Sequence, residues 1–122
     1  MLLIKHMFTI VAVVGSRTFN DYPLLCETLD AFLAQFDKVA LISGGARGAD
    51  QLAERYALEH SILIQVLKPD WSVGRHAGLL RNADIVKACD HMVAFQRENS
   101  RGTANSIERF LASKPNGQLL RA

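Results

Sequence analysis

Four short apolar runs, FTIVAVVG (8–15), KVALIS (38–43), ILIQVLK (62–68) and HMVAF (91–95), recur along the chain, each followed by residues at helical spacing. The first run is β-branched and apolar at successive positions. Neither face of such a strand can meet water, as in a central parallel strand covered by helices on both sides. Leu25, Leu29, Phe32, Leu33 and Phe36 mark a helix from about Pro23, where proline in the first turn gives up no hydrogen bond. Ala49, Leu52, Ala53, Tyr56 and Ala57 stand at i, i+3, i+4, i+7 and i+8 of a second helix. A less regular helix is expected over 75–89, and Ala104, Ile107, Phe110 and Leu111 mark a fourth. PNG then turns the chain into a short QLL, a candidate fifth strand. Alternation with crossover-length connections predicts an α/β fold of three layers, a mostly parallel sheet of four to five strands with helices on both faces.

A chain of 122 residues, 49% hydrophobic and 21% charged, suits one soluble domain over residues 1–122. A net charge of +2 is too weak a field to recruit duplex DNA or an anionic membrane. The cations are distributed more tellingly. Arginines outnumber lysines nine to five, and Arg17, Arg47, Arg75 and Arg101 lie in glycine- or serine-bearing segments, where a planar guanidinium can grip phosphate or carboxylate. Cys26 and Cys89 lack the spacing of a disulfide framework or zinc site, which fits a reducing cytoplasm. His6, His60, His76 and His91 lack metal-ligand spacing and read as surface or cap residues. No metal is expected. The N-terminal apolar run is too short to span a bilayer and lacks a cleavage site, so it reads as the first strand, with Met7 an alternative start to Met1.

In parallel sheets the loops leaving the carboxyl ends of the strands form the ligand crevice. The unusual loops here all leave strand ends: Gly15, Ser16 and Arg17 after the first, SGGARGAD from Ser43 to Asp50 after the second, Asp70 and Trp71 beyond the third, and Ser100, Arg101, Gly102 and Thr103 beyond the fourth. Gly44, Gly45 and Gly48 allow positive φ and close backbone approach, and the helix that follows directs free N–H groups at the loop, so a phosphate is the natural guest. Arg101 can pair with it, and Thr103 can donate a hydroxyl or cap the helix. Each feature has a plainer alternative. The glycine cluster also suits a tight turn, Ser16 and Arg17 a solvated turn, Asp50 a first-turn acid favouring the helix dipole, and Trp71 a rim-packing residue rather than a base-stacking one.

Motif tests narrow the ligand. No GxxxxGK[ST] is present, which disfavours a P-loop NTPase. GxGxxG is also missing, although Asp70 follows the second loop by about twenty residues, the spacing of a ribose-binding acid. No GxSxG or carboxylate pair announces a hydrolase.

VVGSRTF, SGGARGAD, KPDWSVGRHAGLLRN and NSRGTANSI, taken in order, resemble the SLOG superfamily, the Rossmann-like fold of DprA-type DNA-processing proteins and LOG-type nucleotide phosphoribohydrolases. The small stand-alone YspA-type branch is the most similar, and the resemblance runs from about Thr9 to Leu111. It implies a site for a nucleotide or nucleotide-derived ligand that is sensed, sequestered or processed. It also implies ligand contacts from Gly44, Gly45, Arg47, Gly48 and Asp50, from Arg81 and Asn82 beside the sugar, and from Gly102 and Thr103 at the phosphate. Pairing through helices beside the site, as related proteins do, implies a homodimer or higher homo-oligomer, with Leu79, Leu80 and Val86 as cover residues. LOG enzymes read GGxGTxxE, whereas here Ser106 occupies the glutamate position. Glu108 lies about 200° of helical rotation away and faces elsewhere.

Three functions follow as expectations. The chain is a nucleotide-ligand sensor or sequestering protein needing no further cofactor. Alternatively it is a hydrolase of an N-glycosidic or phosphoester bond, with Arg81, Asp50 and Asp70 as candidate catalytic groups. A single-stranded nucleic-acid module is the third reading, against which aromatic residues are only 7% of the chain.

Overall fold

The computed structural model describes residues 7–122. It contains β1 (Thr9–Gly15), α1 (Tyr22–Leu33), β2 (Val39–Ser43), α2 (Ala49–Glu59), β3 (Leu63–Val66), α3 (Ala77–Ala88), β4 (His91–Phe95), α4 (Arg101–Ser113) and β5 (Leu119–Arg121). A 3-10 turn, Trp71–Val73, precedes α3. The strands form one sheet in the order β3-β2-β1-β4-β5, and every pairing is parallel. The expected α/β Rossmann-like architecture is therefore present, with QLL leading into a paired fifth strand.

The doubly apolar character of β1 has a direct cause. Val11 and Val13 face a core built with Leu25 and Leu29 of α1 and Ala53 and Tyr56 of α2. Ile10, Ala12 and Val14 point the other way, into a core with Ile85 and Val86 of α3 and Ile107 and Phe110 of α4. The period-two alternation of a strand feeds both layers at once. Each fully buried side chain of this size contributes about 1.5–3 kcal/mol relative to exposure.

Chain direction sets the site. From β1 the chain runs to β2 and β3, then crosses to the opposite flank of β1 to build β4 and β5. The order reverses between β1 and β4, where the loops after these two strands part and leave a crevice. Gly15 and Phe95 are paired in register at the last rung of that junction.

Several local expectations are adjusted. β3 is shorter than 62–68, and the helix expected over 75–89 is a regular segment from Ala77 to Ala88. Val86 is 3% exposed and belongs to the core, so of the three cover residues only Leu79 and Leu80 reach the surface. His60 stacks on Tyr56 at 4.0 Å, His76 is the N-cap residue of α3, and His91 stacks on Phe36 at 4.7 Å. His6 and the start at Met1 lie outside the described residues. No helix among the described residues is long and apolar enough to cross a membrane.

Candidate functional site

A cleft of about 480 Å³ opens at the β1/β4 junction. Its walls are the loops after β1, β2 and β4, the inner face of α3 and the first turns of α4. From the sequence-derived set it brings together Gly15, Ser16, Arg17, Gly44, Asp50, Arg81, Asn82, Ser100, Arg101, Gly102 and Thr103. Gly45, Arg47 and Trp71 instead line a second groove of about 340 Å³ on the far side of Gly44 and Arg81. Ser43, Gly48 and Asp70 line neither.

The two phosphate-loop candidates differ in how free their amides are. In the glycine-rich loop, Ala49 N donates to Ser16 O at 3.3 Å and Ala46 N to Asp50 Oδ2 at 3.1 Å, so the protein itself occupies much of the α2 end. Gly48 has φ +79°, and a Cβ there would strike the Ser16 carbonyl and the Arg17 backbone. Its glycine is required for loop-against-loop packing. At α4 the first-turn amides have no intrahelical partner. Ser100 Oγ is bonded to Thr103 Oγ1 at 2.7 Å and does not cap them. That helix end presents donors and a partial positive charge to the cleft.

Ser16, read as a ligand contact or solvated turn, has another task. It is 3% exposed, donates from Oγ to Arg97 O at 2.7 Å and accepts from Arg97 N at 2.6 Å. One hydroxyl thus ties the β1 loop to the β4 loop and sets the mouth of the cleft. Ser43 is fully buried at the end of β2 with its hydroxyl unpartnered. Asp70 caps the 3-10 turn by accepting from Ser72 N at 3.1 Å and from Ser72 Oγ, and these bonds lower its pKa. An exposed, already ionised carboxylate holding a turn is poorly suited to proton transfer.

Asp50 is different. Only 7% exposed, it sits on the cleft floor, and burial pushes its pKa up to about 6 against the opposing pull of Ala46 N–H and Arg81. Arg81 is half-buried, with Nη1 donating to Gly44 O at 2.5 Å and Nε to Asn82 Oδ1 at 3.0 Å. Asn82 in turn donates to Gly102 O at 3.3 Å, so one chain of bonds links the glycine loop through α3 to the start of α4. Burial, and then the charge of Arg17, lower the Arg81 pKa while Asp50 raises it. Arg17 and Arg81, close enough that the charge of one depresses the pKa of the other, attract an anion.

Sequence reasoning missed Arg97, Thr18, Ala46 and Ile85, which also line the cleft, and Lys68 in the second groove. Arg97 was legible in principle. With Gly15 opposite Phe95, Arg17 and Arg97 each stand two residues beyond a paired strand end. Arg97 Nη1 donates to Gln96 O at 2.9 Å and Ala122 O at 2.8 Å, and its guanidinium lies 4.9 Å from the Phe19 ring centroid. Ser106 is 2% exposed and faces the cleft, whereas Glu108 is exposed, so the turn of the helix carries this acid away from the cleft.

The fold and cleft define a doubly wound α/β protein with an arginine-ringed crevice at its switch point. Residues 9–74 match the YspA, cpYpsA-related SLOG family (YAcAr), and the chain belongs to that family. It is 33% identical over 105 residues to the Gene 61 protein of Mycobacterium phage D29, covering 80% of this chain and 84% of that protein. Its fold is similar to that of DNA processing protein A (DprA) from Streptococcus pneumoniae, with a TM-score of 0.76 and 18% identity over 98% of this chain. The chain spans about half (52%) of that protein's length. DprA from Helicobacter pylori, a protein described with a single-stranded DNA binding mode, aligns with a TM-score of 0.73 and 20% identity, over 99% of this chain and 68% of its own.

Proposed function

We propose that the chain binds a nucleotide or nucleotide-derived ligand by its phosphate in the switch-point cleft, as a sensor or sequestering protein. One observation carries this reading: Arg17, Arg81, Arg97 and Arg101 converge from separate loops and helices on a cleft that also receives the uncapped start of α4. Against these four cations the cleft holds Asp50 and Glu98. A phosphate supplies the missing negative charge and accepts from both guanidinium and backbone donors. Family membership supports the same class of ligand, and the DNA bound by the H. pylori protein is itself a chain of nucleotides.

A hydrolytic reading has one observation in its favour. Asp50, with a pKa near 6 in a cleft, is poised to exchange a proton near neutral pH. Among the described residues it is the one buried carboxylate lining the cleft, and Ser106 offers no second acid to stabilise an oxocarbenium-like centre. Binding without turnover is therefore the favoured outcome. Native mass spectrometry of freshly purified protein should show a retained nucleotide mass, and overnight incubation with AMP should release no adenine. Adenine release that disappears in Asp50→Asn would replace binding by hydrolysis.

A further inference from the structure

Beside the main cleft, and separated from it by Gly44 and Arg81, lies the second groove, with Arg17, Arg47, Lys68 and Arg81 around it and, among the described residues, no carboxylate in its lining. Among the described residues the ion pairs are Arg55 with Glu59 and His60 with Asp30, so none of these four cations is neutralised by a salt bridge. Trp71 forms one wall and is 59% exposed. Its Cη2 lies 3.6 Å from where a Cβ on Gly78 would stand, and Asp70 caps the turn that carries it. Lys68 lies across Gly45, whose missing side chain makes room for the lysine stem. An exposed aromatic ring at a cationic groove is the arrangement that receives a stacked base beside its phosphate. A volume of about 340 Å³ falls within the range of small-ligand sites, which begins at roughly 300 Å³.

The two grooves share Arg17, Gly44, Ala46 and Arg81 along their common border. We infer that the second groove is a subsite for a second nucleoside, stacked on Trp71 and joined to the unit in the main cleft through a phosphate held between Arg17 and Arg81. The ligand is then a phosphate-linked dinucleotide unit, either free or as a segment of a single strand. This rests on the nucleotide reading of the main cleft and extends it.

Trp71 is the sole tryptophan, so its emission reports on the second groove alone. Calorimetric titration with AMP and with the dinucleotide pApA, alongside tryptophan fluorescence, tests the inference. The expected result is that pApA binds between about 5-fold and 150-fold more tightly than AMP, which is what stacking one base supplies, and quenches Trp71 where AMP does not. Trp71→Ala should bring the ratio of the two affinities close to one. If AMP binds and pApA gains nothing, or gains without any change in emission, the second subsite is refuted while the main-cleft reading stands. If neither binds, both fall. A dT20 strand separates the sources of the chemistry. Affinity equal to or above that of pApA identifies a strand segment, and binding at least tenfold weaker identifies a free dinucleotide; either supports the second subsite.

Discussion

Arg81 and Asp50 flank the same backbone atom without closing an ion pair. A Cβ on Gly44 would lie 2.9 Å from Arg81 Cζ and 3.0 Å from Asp50 Oδ2, yet the two groups are not paired within 4 Å. The opposite charges feel each other, Asp50 raising the Arg81 pKa and Arg81 lowering that of Asp50, while Arg81 keeps its donors on Gly44 O and Asn82. A guanidinium held near a buried acid but not spent on it remains available to an incoming anion.

Gly44 therefore acts through Arg81, and Gly48 through folding. In Gly44→Ala the methyl meets the flexible end of Arg81, which can swing away, and the Asp50 carboxylate at 3.0 Å, which must give slightly, so the fold survives with a loss of about 1–3 kcal/mol and ligand affinity drops at least about tenfold. In Gly48→Ala the methyl meets fixed backbone at a positive φ, and stability falls by more, with partial unfolding at 37 °C. Urea denaturation and calorimetry on both variants check this contrast.

Ser16→Ala removes both bonds to Arg97 from a buried position. A loss of about 1–3 kcal/mol is expected from denaturation curves, because the Arg97 carbonyl and amide lose their partner. Unchanged stability with lost ligand affinity would return Ser16 to the role of a direct contact.

The position of Asp50 gives a pH dependence. Its folded-state pKa, about 6, stands above its ordinary 3.8, so the folded chain holds this proton more tightly than the unfolded chain. The contribution to stability is full below about 3.8 and is lost as pH rises through about 6. A shift of about two units corresponds to about 3 kcal/mol. Asp50→Asn should therefore stabilise the protein at pH 8 and leave it little changed at pH 4, as read by urea denaturation at the two values. A gain of equal size at both would mean that Asp50 does not titrate in this way.

Much of this was legible from the chain, and what was not has identifiable causes. A strand covered on both faces must be apolar at every position, so β1, β2 and β4 stand out wherever they begin and end. The glycine loop announces itself because few other residues accept φ near +75° at Gly45 and Gly48. Which glycine serves which purpose is a tertiary fact. Gly48 faces a loop 32 positions earlier, and Gly44 faces a side chain 37 positions later. Ser16 is similar, since a serine after a strand gives no sign that its hydroxyl will be consumed by Arg97, 81 residues on. Val86 fits the helical stripe of α3 as well as a surface pair would, and only packing against β1 and β4 decides that it is core.

Leu79 and Leu80 remain 44% and 55% exposed on α3. We expect the chain to pair with a second copy through this surface, giving a dimer by sedimentation at micromolar concentration and a monomer in Leu80→Glu. A monomeric parent removes the expectation.

If the cleft binds a nucleotide as proposed, Arg81 helps hold its phosphate. Isothermal titration of AMP into the parent protein and into Arg81→Ala measures that contribution. The parent should bind one AMP per chain, and the variant should lose about 1.5–3 kcal/mol of binding, the range for a hydrogen bond to a charged group. Absence of binding to the parent, or equal affinity in the two proteins, contradicts it.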